Sequence, residues 1–198
     1  AQKRVLKEIR TDLGSNAQMN RLLQGDVGSG KTVIAFMTTL IAIDNNFQAC
    51  IMAPTEILAS LHFELAKKLF FSTNIKTELL TSKTSSKDKK KIISNLKNGS
   101  INFLIGTHSL FQKKIKFSKL GFIIIDEQHK FGVKQRISLA KKGGDNCDIL
   151  SMSATPIPRT MMMSFFGDMD VSILKEKPKN RKDIVTLVKQ ENKISELC

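Results

Sequence analysis

The chain has 198 residues, 41% hydrophobic and 25% charged, proportions that suit one larger globular domain with ample core. No apolar run approaches the ~20 residues needed to span a bilayer, and Gln2-Lys3-Arg4 read as the start of a charged amphipathic helix rather than of a signal peptide, so a membrane partner is not expected. The net charge of +14 comes from 26 Lys and 6 Arg against 18 acidic residues; it fits either a nucleic-acid-binding face or a solvated lysine-rich surface, because specific phosphate and base recognition leans on Arg more than on Lys.

In chain order, the apolar spacing of Val5, Leu6, Ile9 and Leu13 predicts a helix over 3–13. A short strand follows at 21–24, then a glycine-rich loop, then a helix over 32–43. Asp44-Asn45-Asn46 is a turn, and 47–53 reads as a buried strand. The pattern continues with a helix at 56–71, a strand at 75–81 and a helix at 87–97 that stops at Asn98-Gly99. Strands fit 101–106, 120–126, 148–153 and 171–174, and helices fit 134–141 and 158–166. The lysine-rich stretch Lys83–Lys97 reads as an exposed helix with its leading loop, or as a DNA-facing patch. The alternation of strands and helices predicts an α/β fold, a mostly parallel sheet with helices on both faces.

We expect a domain over 1–174. Residues 175–182 hold one proline and no apolar side chain, the composition of a linker. Beyond it, a strand at 184–189 and a helix at 191–198 would open a second, truncated domain. Ala1 in place of Met and an end at Cys198 inside that helix lead us to expect a piece of a longer polypeptide. Cys50, Cys147 and Cys198 are odd in number and widely spaced, with no C-x-x-C, which points to reduced structural thiols. His62, His108 and His129 show no metal-binding spacing. Trp and Tyr are absent, so base stacking would fall to Phe or Arg.

The segment Gly25-Asp26-Val27-Gly28-Ser29-Gly30-Lys31-Thr32 matches G-x-x-x-x-G-K-[ST], the phosphate-cradling loop of nucleoside triphosphatases. Glycine lets consecutive N–H groups turn inward around an anion. Lys31 adds a point charge for the β/γ-phosphates, and the Thr32 hydroxyl suits Mg²⁺. The strand before the loop and the helix after it supply the required setting. A second site ends the apolar run Ile123-Ile124-Ile125 with Asp126 and Glu127. Ligands of open α/β sheets gather beyond the carboxyl ends of the strands. Asp126 there suits the Mg²⁺ shell, partly through water, and Glu127 suits polarising the attacking water. No acceptor site or lid for a kinase and no N-K-x-D-like guanine reader is found.

The acids continue as Asp126-Glu127-Gln128-His129, and Ser153-Ala154-Thr155 ends the next strand. Together with the glycine loop these motifs resemble superfamily 2 helicases and translocases. Within them, Gln24–Thr32, Met52–Ala59, Gly106–Gln112, Asp126–Val133 and Ser153–Thr160 resemble the RecG family of bacterial branched-DNA helicases, in order and spacing, over about Gln2 to Asn180. The neighbouring transcription-repair coupling translocases (Mfd) usually carry Phe where Ser29 stands and Glu where Gln128 stands.

The resemblance implies a RecA-like P-loop domain using ATP and Mg²⁺, the first of two motor domains. It implies Gln2 as the adenine reader and Pro54, Thr55, Gly106, Thr107 and His108 as DNA-backbone contacts. It implies His129, Ser153, Ala154 and Thr155 as the relay between nucleotide state and DNA. Pro54-Thr55 reads equally as the cap of the following helix. Arg159 matches a family position whose partner the sequence does not reveal. The implied partners are branched double-stranded DNA (forks and Holliday junctions), a second RecA-like domain bringing an arginine finger, and an N-terminal wedge domain. The implied setting is the bacterial cytoplasm, in association with the nucleoid. Two other functions remain open: an Mfd-like translocase with an RNA polymerase partner, and a nucleotide-dependent DNA-binding module without turnover. Lys31, Asp126 and Glu127, all present, argue against the last.

Overall fold

The computed structural model describes residues 1–132, 139–144, 147–155 and 169–175. Among them, seven strands form one sheet: β1 (Asn20–Gly25), β2 (Gln48–Met52), β3 (Thr77–Leu80), β4 (Phe103–Gly106), β5 (Leu120–Ile125), β6 (Asp148–Ser153) and β7 (Asp170–Leu174). Their spatial order is β3-β4-β2-β5-β6-β1-β7, and every pair is parallel. The helices are α1 (Gln2–Leu13), α2 (Lys31–Asp44), α3 (Glu56–Leu69) and α4 (Ser86–Lys97). This is the predicted α/β class, with element bounds within about two residues of those read from periodicity. Two short 3₁₀ turns, His108–Phe111 and Gln128–Lys130, were not anticipated. The helices expected over 158–166 and for most of 134–141 lie outside the described residues, as do Arg159, the linker after Lys175 and the tail beyond it.

Strand alternation divides the core into two layers, because successive side chains leave a strand on opposite faces. Ala49, Ile51, Phe103, Ile105, Phe122 and Ile124 face one layer, closed by Val5 and Ile9 of α1, Ile34 and Phe36 of α2, and Ala59 and Ala66 of α3. Cys50, Met52, Leu104, Ile123 and Ile125 face the other, with Ile92 and Leu96 of α4. Both faces are therefore covered, which explains why β5 is apolar at every position instead of alternating. Cys50 and Cys147 are buried free thiols of the second layer, and burial pushes the Cys147 thiol up to about 12.

Local chemistry starts and anchors the helices. The Thr55 hydroxyl accepts from Leu58 N–H at 3.2 Å and the Ser85 hydroxyl from Asp88 N–H at 3.1 Å, capping α3 and α4. On α4, Lys87, Lys90, Lys91 and Lys97 are exposed while Ile92 and Leu96 are buried, so most of the lysine-rich stretch is a solvated helix face. Arg21, at the start of β1, pairs with Asp12 of α1 at 2.6 Å and donates to the Ser172 hydroxyl of β7 at 2.9 Å. Arg4 Nη2 adds a bond to the Ile173 carbonyl at 3.0 Å. These contacts pin α1 beside β1 and β7 and bring its first turn to the carboxyl edge of the sheet.

Candidate functional site

The Gly25–Thr32 loop leaves the carboxyl end of β1 and enters α2. Gly28 (φ 81°) and Gly30 (φ 94°) occupy the left-handed region that glycine tolerates without strain. Gly25 is needed for space: a Cβ there would sit 2.7 Å from Ser29 Oγ and 2.9 Å from Leu174 Cβ. Gly30 stands at the N-cap of α2 and brings no capping side chain, so the first N–H groups of that helix open toward the loop. Lys31 Nζ donates to the carbonyls of Gly25 at 2.6 Å and Asp26 at 3.0 Å, lying across the loop. Burial pushes the Lys31 ammonium below the ordinary lysine range, and the charges of Glu127, Asp126 and Asp26 oppose that shift. Ser29 Oγ is buried without a hydrogen-bond partner among the described residues. An anion with several acceptor oxygens fits this cradle of glycines, helix N–H groups, an unpartnered hydroxyl and a cation. Gln2 Nε2 donates to the Ser29 carbonyl at 2.9 Å, so its amide sits on the rim of the same loop.

Asp126 and Glu127 lie just past the end of β5, and β6 separates that strand from β1. Ser153-Ala154-Thr155, at the carboxyl end of β6, therefore stands between the loop and the acids. Glu127 Oε2 accepts from Ala154 N–H at 3.4 Å, and Gln24 Nε2 donates to the Thr155 carbonyl at 3.0 Å. The Ser153 and Thr155 hydroxyls lie 3.0 Å apart. Glu127 adopts φ 48°, ψ 58°, a left-handed backbone that disfavours a non-glycine residue by about 1–2 kcal/mol. Such outliers concentrate where surrounding structure holds a side chain for chemistry. His129 follows on the 3₁₀ turn Gln128–Lys130.

Motif reading missed His62. On α3, its Nε2 lies 2.8 Å from Asp126 Oδ2 and both residues are buried. The only signal in the sequence was a histidine inside an otherwise apolar helical pattern, which is uninformative alone. Three or more His, Cys, Asp or Glu side chains do not cluster as a metal cage among the described residues.

Four of the five residues expected to contact nucleic acid line one cleft of about 530 Å³ across the carboxyl ends of β2, β3 and β4: Pro54, Thr55, Thr107 and His108. Thr55 and His108 are exposed, while Gly106 and Thr107 are buried. Gly106 cannot carry a side chain without displacing backbone, since its Cβ would lie 2.5 Å from the Leu80 carbonyl oxygen. The Thr55 hydroxyl caps α3, so that alternative for Pro54-Thr55 holds in the structure. Glu56, Thr81, Ser82, Lys89, Ser109 and Gln112 complete the lining, with Lys89 Nζ donating to Gln112 Oε1 at 2.8 Å and the Glu56 carboxylate accepting from Ser82 N–H at 3.1 Å. Of these, Lys89 lies in the Lys83–Lys97 stretch and Ser109 and Gln112 in the Gly106–Gln112 block, but none was assigned a DNA contact individually, because the cleft gathers segments far apart in the chain.

The sequence matches the family model "DEAD/DEAH box helicase" over residues 1–164. It is 51% identical over 186 residues to the ATP-dependent DNA helicase RecG of Streptococcus pneumoniae, covering 94% of this chain and 27% of that protein. It is 46% identical over 198 residues to the protein of the same name from Aquifex aeolicus, covering all of this chain and 25% of that one. A solved structure of RecG bound to a three-way DNA junction superposes with a TM-score of 0.84 at 44% identity, covering 99% of this chain and 26% of that one. The chain thus spans about a quarter of the length of these relatives.

Proposed function

This chain belongs to the DEAD/DEAH box helicase family, and from that premise we propose that it is the first motor domain of a RecG-type, ATP-dependent helicase that remodels branched DNA. One observation carries the reading. The triphosphate-type loop, the acid pair and Ser153–Thr155 converge on the carboxyl edge of one parallel sheet, with Glu127 hydrogen-bonded to Ala154 at the end of the adjacent β6. The identity to RecG proteins, and the junction-bound structure that superposes on the chain, support branched DNA as the substrate of the whole protein.

In this reading residues 1–174 form the first RecA-like domain, 175–182 a linker and 183–198 the opening of a second. The loop N–H groups and Lys31 hold the β- and γ-phosphates of ATP, while Gln2, on the loop rim, reads the adenine edge. The Thr32 hydroxyl and the Asp126 carboxylate are hard oxygen donors that suit Mg²⁺, partly through water. Bound there, Mg²⁺ would take its remaining ligands from phosphate oxygens and water. Mg²⁺ there supplies neutralisation of phosphate charge. Glu127 takes the proton of the attacking water. Its bond to Ala154 ties that step to Ser153–Thr155 and, with His129, to the DNA side. Pro54, Thr55, Thr107 and His108 engage the DNA backbone from the cleft, with Gly106 letting the chain pass close, and Lys89 adds positive charge to it. The opposing arginine comes from the second domain, so residues 1–198 alone bind nucleotide without unwinding DNA.

The test is DNA-stimulated ATP hydrolysis by the full-length protein. Glu127→Gln should lower turnover at least about 10²-fold while ATP still binds, and Lys31→Ala should lower both. Turnover within tenfold of the unmodified protein in either variant would refute the assignments.

A further inference from the structure

Among the described residues, one buried polar contact to the acid pair comes from α3, at a position beyond the Met52–Ala59 block and outside every motif. The His62 and Asp126 side chains are 9% and 12% exposed and meet at 2.8 Å, Nε2 to Oδ2. A carboxylate only accepts hydrogen bonds, so the imidazole Nε2–H is the donor. We infer that His62 is a positioning residue for Asp126, holding one carboxylate oxygen so that the other is presented to the Mg²⁺ shell of the nucleotide. The inference rests on the proposed metal role of Asp126.

Three features make the contact rigid. Asp126 N–H donates to the Met52 carbonyl at 2.9 Å, which fixes the backbone but leaves the side-chain torsions free. His62 restrains those torsions. The imidazole is in turn held edge-on by Phe36, at 6.2 Å between centroids and 69° between planes. Phe36 packs on Phe70 at 5.9 Å and Phe103 at 5.6 Å, so the histidine sits against a continuous aromatic cluster spanning α2, α3 and β4. Hydrogen bonds to a ligating carboxylate orient it, and losing such a partner commonly lowers metal affinity by about 10- to 100-fold. A bond that merely satisfied a buried carboxylate would affect stability and leave metal dependence alone.

The experiment uses the full-length protein with His62→Phe, which keeps an aromatic ring without the donor, and His62→Gln, which restores an N–H donor near the Nε2 position. Affinity for a fluorescent ADP is measured with Mg²⁺ and with EDTA, and folding is followed by circular dichroism. In His62→Phe the gain in affinity on adding Mg²⁺ should shrink about tenfold. Affinity in EDTA should stay within about twofold of the unmodified protein, and His62→Gln should recover most of the gain. An unchanged Mg²⁺ effect in His62→Phe, or equal losses in both variants, overturns the positioning role. If the Phe variant does not fold, ¹⁵N-histidine spectra of the unmodified protein decide. The His62 resonances should shift with Mg²⁺–ADP and not with ADP in EDTA, and identical spectra overturn the role. If the unmodified protein shows no Mg²⁺-dependent nucleotide affinity, the proposed metal site itself fails; if it does and the variants match it, only the role of His62 fails.

Discussion

Gly106→Ala is the substitution through which packing at the sheet edge reaches function most directly. The added Cβ would lie 2.5 Å from the Leu80 carbonyl oxygen of β3, and 3.0 and 3.1 Å from Leu110 Cδ2 and Cγ. The leucine can give way, but the carbonyl belongs to a neighbouring strand paired in register from Thr77 to Leu80. Either β3 moves or the chain leaving β4 does. Overpacking of this kind costs about 1–3 kcal/mol, and contact with backbone puts it in the upper half of that range. Burying one methyl group offsets about 0.8 kcal/mol at most. A net loss of about 2 kcal/mol should speed amide exchange of Leu79 and Ile105 roughly 30-fold in the intact protein, with β1 and β6 unaffected. Thr107 and His108 follow directly, so affinity for forked DNA should fall several-fold while nucleotide affinity holds. Exchange within threefold of the unmodified protein at Leu79 and Ile105 would refute the packing argument. A parallel loss of nucleotide binding would refute the separation of the two sites.

Gly14→Ala should act oppositely: Gly14 sits at φ −88° after α1 and a Cβ there meets only ordinary contacts at 3.5 Å. Reduced unfolded-state freedom should add about 0.4–1 kcal/mol, read as a higher thermal midpoint. Arg21→Met keeps the apolar stem but leaves Asp12 and Glu8 without their buried cation. Because both acids are partly exposed, the loss should be about 1–3 kcal/mol, less than for a fully buried pair, with faster exchange confined to α1, β1 and β7. Burial raises the Asp148 carboxyl above the ordinary aspartate range, although Oδ1 accepts from Met19 N–H at 2.8 Å. A raised folded-state value means that the stability linked to its protonation is present at acid pH and lost as pH rises through that value. Asp148→Asn keeps an acceptor and removes the buried charge, so it should raise the thermal midpoint at pH 7. That advantage should vanish as pH falls toward 4; a constant difference across pH would refute it.

Much of the architecture was legible because its causes are local. The apolar period of 3.6 in residues 2–13 and 86–97, and the unbroken apolar run before Asp126, encode helices and a doubly covered strand through which side chains meet water. The bounds slipped at 75–81, where pairing with β4 sustains a strand only over Thr77–Leu80, and the two 3₁₀ turns carried no periodic signal at all. Among candidate site residues, the contiguous ones were easiest to find. Gly25–Thr32 acts through its own backbone, and a motif of eight successive residues records that. The cleft was only half visible: Pro54-Thr55 and Thr107-His108 were marked by the family resemblance, whereas Lys89 was one lysine among many on a largely solvated helix.

From its sequence alone this protein determines an α/β chain with a triphosphate loop and an acid pair, since backbone freedom at glycine and burial of apolar runs are properties of neighbouring residues. Only tertiary structure decides that β6 lies between β1 and β5, because strand order depends on pairings between distant segments. That order sets Ala154 against Glu127, and the packing of α3 on the same sheet brings His62 to Asp126. Both contacts join residues far apart in the chain, held together by the sheet and its buried faces.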